Sequence, residues 1–173
     1  MVFNGSGMVN GIAEYSKVPK GGKDLLRWYP VIAHVSNAGD LGFTSGPYQY
    51  YPERGRQAVR SGYFFSVWRK NAAGKFKVVF DGGVAAAGSH DGFFKRLPEP
   101  VSYGRYDYLQ RIASVRDSAE SVWEIEDAFV TDASKGDRAL YEGILSDSVI
   151  FLRDNQPFAR NRQEAEAIAR QTA

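Results

Sequence analysis

Three ionisable residues sit where a side chain of their type could move a proton. His34 lies in the apolar run LRWYPVIAHVS, which alternates like a strand. An imidazole there becomes an acid–base group when a carboxylate orients it and an opening admits substrate. Without those it is a hydrogen-bonded structural residue. Asp81 ends the run KFKVVFD. Glu126 falls on the apolar stripe of a helical pattern, where a carboxylate must find partners or stay neutral. It reads either as a pocket acid or as a structural tie to an Arg, a Trp N–H or the backbone.

Other chemistries lack their residues. With no Cys there is no thiolate, disulfide or Cys-ligated metal. Two histidines, His34 and His90, without clustered carboxylates do not build a metal site. Gly39-Asp40-Leu41-Gly42 is not a phosphate loop, because no helix follows it. No Gly-x-Ser-x-Gly elbow and no Walker lysine are found. No metal and no cofactor are expected.

The elements that must position these groups come in two kinds. From Leu26 to Gly83 the chain reads as strands divided by turn signals. The first, Trp28–Ser36, places Trp28, Pro30, Ile32 and His34 on one side. Leu41–Tyr51 follows the turn at residues 37–40. Gly62–Lys70 and Lys75–Asp81 are joined through Asn71-Ala72-Ala73-Gly74, with Phe76, Val78 and Phe80 on one face. Pro30 lacks an N–H and marks a strand start, a bulge or an edge. Gly82–Pro100 reads as a connection, rich in small residues and then in Pro. After it the period changes. Tyr108, Ile112, Val115, Ala119, Val122, Glu126, Phe129 and Ala133 fall at spacings of four and three, one stripe of a helix of at least five turns within residues 105–135. Asp137 caps a second helix, Arg138–Leu145; a short strand, Val149–Leu152, and a short helix, Gln163–Arg170, close the chain. Before the sheet, Val2-Phe3 reads as a short strand and Ile12–Lys17 as a helix start. Residues 2–14 and 149–164 echo each other as strand, loop and short helix.

Composition fits one ordinary domain of 173 residues with a real core. Aromatics make up 14%, which means a large core or an aromatic-lined pocket. A net charge of +2 is too small to argue for nucleic acid, and no basic cluster interleaves with aromatics. No apolar run reaches membrane-spanning length, and the first residues do not read as a signal peptide, so the default compartment is the cytoplasm. Residues 1–102 hold 13 Lys and Arg against 7 Asp and Glu, whereas residues 103–173 hold 9 against 13, so the two parts are electrostatically complementary.

Several stretches together resemble one family. They are Trp28-Tyr29-Pro30-Val31-Ile32-Ala33, Gly39 to Tyr48, Gly62-Tyr63, Ser66 to Lys70 and Gly74 to Asp81. They are similar to the middle and last strands of nuclear-transport-factor-2-like domains, the bacterial branch related to polyketide cyclases and ketosteroid isomerases. The region with Glu126, Asp127, Phe129, Gly136-Asp137 and Ser146 to Val149 resembles that family's opening helices. Here the order is permuted, sheet part first and helical part last. The resemblance implies an α+β fold, a curved antiparallel sheet of about four to six strands covered by a long helix and shorter helices around a pocket. Residues 1–95 would be the sheet portion, 96–104 a linker and 105–173 the helical portion, which either completes the same domain or begins a second tandem copy. Trp28, His34, Thr44, Tyr48, Phe64, Trp68, Trp123 and Phe129 would line the pocket; each ring can equally be plain core. The implied function is to bind a small apolar molecule. The alternative is a cofactor-independent isomerase or cyclase with Glu126, Asp81 or His34 as base. A homodimer, with or without exchanged halves, also follows from the resemblance.

Overall fold

The sheet is built on Leu41–Tyr51 (β5), whose β-branched and aromatic residues suit a long pleated strand. The computed structural model describes residues 2–3, 7–18, 21–86, 88, 90, 101–102, 115–133 and 144–171. Strand β5 pairs antiparallel with Arg60–Lys70 (β6) along one edge. Along its other edge it pairs with two short strands, Leu25–Trp28 (β3) and Ile32–Val35 (β4). Phe76–Ala85 (β7) pairs antiparallel with β6. These five strands are the antiparallel body of an α+β protein. Two-residue strands extend it. Val2–Phe3 (β1) runs parallel to β7 through Val2 and Asp81 and forms a hairpin with Met8–Val9 (β2). Val101–Ser102 (β8) runs parallel to β4.

The turns have visible causes. Ser36 Oγ donates to the Asp40 carboxylate at 2.8 Å and accepts the Leu41 N–H at 3.1 Å, closing the turn into β5. The Asn71 side chain accepts the N–H groups of Ala73 and Lys75, each at 3.0 Å, and Gly74 takes φ of 72°, which glycine adopts without strain.

The sequence predicts one continuous strand over Trp28–Ser36, and the structure corrects it. The strand breaks at Tyr29-Pro30-Val31, where Pro30 has no N–H to give. Trp28 pairs with Tyr48, but Ile32 pairs with Ser45, so four steps along one strand meet three along the other. One residue is extra, and His34 turns to the opposite face from Trp28. A second extra residue lies in β7. Val67 pairs with Phe80 and Trp68 with Val78, leaving Val79 between them. Phe80 therefore leaves the face of Phe76 and Val78, and Asp81 joins it. Strand β7 also runs on to Ala85, so Gly82–Ala85 is sheet rather than connection.

The chain divides into two compact units, residues 1–106 with 152–156, and residues 107–151 with 157–173. In the second, Val115–Ala133 (α2) is a 19-residue helix within the predicted span. Arg162–Gln171 (α3) matches the predicted last helix to within a residue at either end. Its packing buries Leu145, Ala159, Ala165 and Ile168 against Val149 and Phe151. Asn161 caps α3 by accepting the Glu164 N–H at 2.9 Å, and Glu164 reaches back to the Arg160 N–H at 2.8 Å. The strand predicted at Val149–Leu152 shrinks to a single bridge between Phe151 and Ala159. Nearly all of the predicted helix Arg138–Leu145, and residues 91–100 of the predicted connection, lie outside the described residues. Gly11–Tyr15 (α1), in the first unit, is likewise capped by an asparagine, Asn10, which accepts the Ala13 N–H at 3.2 Å. Among the described residues no helix is long and apolar enough to cross a membrane.

Candidate functional site

The two extra residues sort the side chains of the sheet into two unlike faces. Paired residues share a face, so each row can be read across the strands. On the front face one row is Trp28, Tyr48, Gly62 and Ala85; the next is Gly46, Phe64 and Gly83; the next is Ala33, Thr44, Ser66 and Asp81; the last is Val35, Gly42, Trp68 and Val78. Of the predicted site residues, Trp28, Thr44, Tyr48, Phe64, Trp68 and Asp81 share this face.

Three rings of β5 and β6 on this face have a glycine opposite them, whereas Tyr50 pairs with Leu26 and Arg60. Tyr48 faces Gly62, Phe64 faces Gly46 and Gly83, and Trp68 faces Gly42. At Gly62 the pairing is obligatory, because an added Cβ would stand 2.7 Å from Tyr48 Cε1 and would collide with the Val84 carbonyl. At Gly46 a Cβ would collide with the Tyr29 carbonyl oxygen and approach Val31 N to 2.9 Å; the missing side chain is what lets the extra residue fold against β5. Trp68 is fixed by its indole N–H, which donates to Thr44 Oγ at 3.0 Å. Trp28 is 59% exposed.

Asp81 lies among these rings. Ser66 Oγ donates to it at 2.5 Å, and the Tyr15 phenol of α1 donates to the same carboxylate. Burial first, and then the Asp81 charge, push the Tyr15 phenol above its ordinary range.

At one end of the front face lies an open cleft of about 500 Å³, lined by Tyr48, residues 57–61, Ala85, Ala86 and Gly88. Arg60 lies with its guanidinium carbon 4.9 Å from the Tyr50 ring centre, and Tyr50 is its partner across the strands. Asp154 Oδ1 accepts the Ala85 N–H at 2.9 Å, and the Asn155 N–H donates to Ala85 O at 2.8 Å. Burial pushes the Tyr48 phenol up, Arg60 pulls it down and Asp154 pushes it up again.

The back face is built differently. His34 stacks on Phe43 with ring centres 4.9 Å apart, Phe43 meets Phe65 at 5.3 Å, and Phe65 meets Phe80 at 6.4 Å. Ile32, Ser45 and Gln49 are fully buried there. Ser45 Oγ donates to Phe64 O at 2.7 Å, and the Tyr51 hydroxyl donates to Gln49 Oε1 at 3.0 Å. Burial pushes the His34 imidazole below its ordinary value. His34 is thus separated from the front-face set. Glu126, Trp123 and Phe129 lie on α2 of the second unit; Glu126 is exposed, Trp123 is 76% exposed and Phe129 is half-buried. Among the described residues no three His, Asp or Glu stand together as metal ligands.

Sequence reasoning missed Ser66, Tyr15, Arg60 and Asp154. Ser66 had a signal, as the one polar residue inside the run YFFSVW. Asp154 had none, lying 69 residues from its partner Ala85. No family model, no curated protein and no solved structure matches this chain.

Proposed function

We propose that this protein binds a small ring-bearing molecule on the front face of its sheet. The observation that carries the reading is the gathering of five of the eight expected lining residues on one face, with Tyr48, Phe64 and Trp68 each lying opposite a glycine. Glycine beside a ring leaves one side of that ring without a neighbouring side chain, which is the relief a flat apolar ligand fills. The reading carries with it the nuclear-transport-factor-2-like class in permuted order, its cone-shaped roll and a homodimer. Its support is the succession of long antiparallel strands followed by a long helix. Further support is that an antiparallel pairing, a two-residue hairpin in one case and a single bridge in the other, leads into an asparagine-capped helix at Asn10 and at Asn161. The test is a fluorescence titration with 2-naphthol in a Trp123→Phe background, where only Trp28 and Trp68 report. Saturable quenching that weakens in Phe64→Ala supports the reading; quenching that stays linear with concentration overturns it.

A second reading keeps the same face but makes Asp81 a base. What favours it is that Asp81 accepts two hydroxyls in the middle of the ring-lined face. A carboxylate so placed takes a proton from a carbon acid and returns it at another position. The check is hydrogen–deuterium exchange at the carbon beside the carbonyl of a cyclic ketone in D2O. Exchange lost in Asp81→Asn supports this reading, and exchange equal in both proteins dismisses it.

A further inference from the structure

We infer that the cleft at the Tyr48 end of the front face takes a ring on a short chain ending in a carboxylate, with Arg60 as the group that pairs the anion. This rests on the front face being a ligand surface and adds the charge of what it binds. Arg60 and Tyr48 line the cleft together. The strand pairing explains why. Tyr48 faces Gly62, and one row further out Tyr50 faces Arg60, so the cation stands beside the phenol on the same face. Tyr48 forms a flat wall over Gly62, where an added Cβ would stand 2.7 Å from Tyr48 Cε1. Much of the remaining lining is small, from Ala58, Ala85, Ala86 and Gly88. A volume of about 500 Å³ accommodates one ring with a short chain.

Among the described lining residues Arg60 is the only charged one. Its guanidinium lies over the Tyr50 ring, and among the described residues it makes no ion pair and no hydrogen bond. Arg56, Arg162 and Arg170 each meet a carboxylate instead, at 3.1, 3.2 and 3.0 Å. A guanidinium resting on a ring uses its plane and keeps its N–H edge for an acceptor, and a carboxylate meets that edge with two parallel bonds. The other polar side chains of the cleft offer no counter-charge. Gln57 is neutral, and Ser61 Oγ already donates to Ala86 O at 3.1 Å. An ammonium group would be repelled by Arg60, and an uncharged ring would cover it without pairing it. A ring with a carboxylate pairs the cation while the ring stacks on the phenol.

The test compares three compounds that share a phenyl ring and differ in charge. 3-Phenylpropanoate, the neutral 3-phenylpropanamide and the cationic phenethylamine are titrated into the full chain, with dissociation constants read from backbone NMR shifts at residues 57–61, 85, 86 and 88. The carboxylate is expected to bind roughly tenfold tighter than the carboxamide, the low end for a charged hydrogen bond because Arg60 is exposed. Phenethylamine should bind no tighter than the carboxamide. Arg60→Gln should bring the carboxylate to the affinity of the carboxamide and leave the carboxamide unchanged. If the carboxamide or phenethylamine binds as tightly as the carboxylate, or if Arg60→Gln weakens all three equally, Arg60 does not pair the ligand; the charge assignment is then wrong while the ligand surface stands. If none of the three binds, both fall.

Discussion

The two faces of the sheet use the same residue types to opposite ends. On the back face His34, Phe43, Phe65 and Phe80 lean on one another in a chain of ring contacts between 4.9 and 6.4 Å. On the front face Tyr48, Phe64 and Trp68 each look across at glycine, and Trp28 stands 59% exposed. Rings that stack on rings saturate each other and serve the fold. Phe65 also lies opposite a glycine, Gly82, yet it meets Phe43 and Phe80, so the ring contacts rather than the facing glycine mark the back face.

The sharpest way to break this comparison is to truncate one ring from each face. Phe65→Ala should destabilise by about 2–4 kcal/mol, below the full-core value because the ring is half-buried. Chemical denaturation measures it, and a loss under about 0.5 kcal/mol would put Phe65 among surface residues. Gly62→Ala comes next, at about 1–3 kcal/mol of overpacking. Its specific signature is displacement of the Tyr48 ring, seen as changed shifts around the cleft. Trp68→Phe keeps the ring and removes the N–H given to Thr44, for about 1 kcal/mol. Trp28→Ala should leave stability within about 0.5 kcal/mol and weaken ligand binding, the reverse of Phe65→Ala.

The smallest effect is set by pH. Burial lowers the His34 pKa, so the unfolded chain takes up a proton before the folded chain does. Stability should fall as pH drops through about 6.5 and level off below the depressed folded value. His34→Gln should flatten that part of the pH–stability curve; an unchanged slope would mean that the imidazole is as well hydrated in the fold as in the unfolded chain.

Much of the fold was legible in the sequence. The bounds of β5 were read without error, β6, β7 and α3 to within a few residues, and the position of α2 from its four–three spacing. The assignment of faces was not legible. Alternation counts residues, whereas faces follow pairing, and a single unpaired residue reverses everything beyond it. Pro30 hinted at one such break. Val79 hinted at the other, since KFKVVFD alternates only as far as Val78 and then runs Val78-Val79-Phe80 without a polar residue. Those two breaks moved His34 and Phe80 to the back and Asp81 to the front. Asp154 was illegible for another reason: it arrives from residues 152–156, and nothing local in the sequence ties it to Ala85.

The central claim is that the glycine-flanked face meets ligand and the ring-stacked face does not. An amide NMR map of the full chain with benzyl alcohol tests it most directly, because each face carries its own reporters. The account predicts saturable shifts at the amides of Gly42, Gly46, Gly62 and Gly83 and at the indole N–H groups of Trp28 and Trp68, with Phe43, Phe65 and Phe80 unmoved. Shifts that concentrate at Phe43, Phe65 and Phe80, or that are absent from the four glycines, would contradict it.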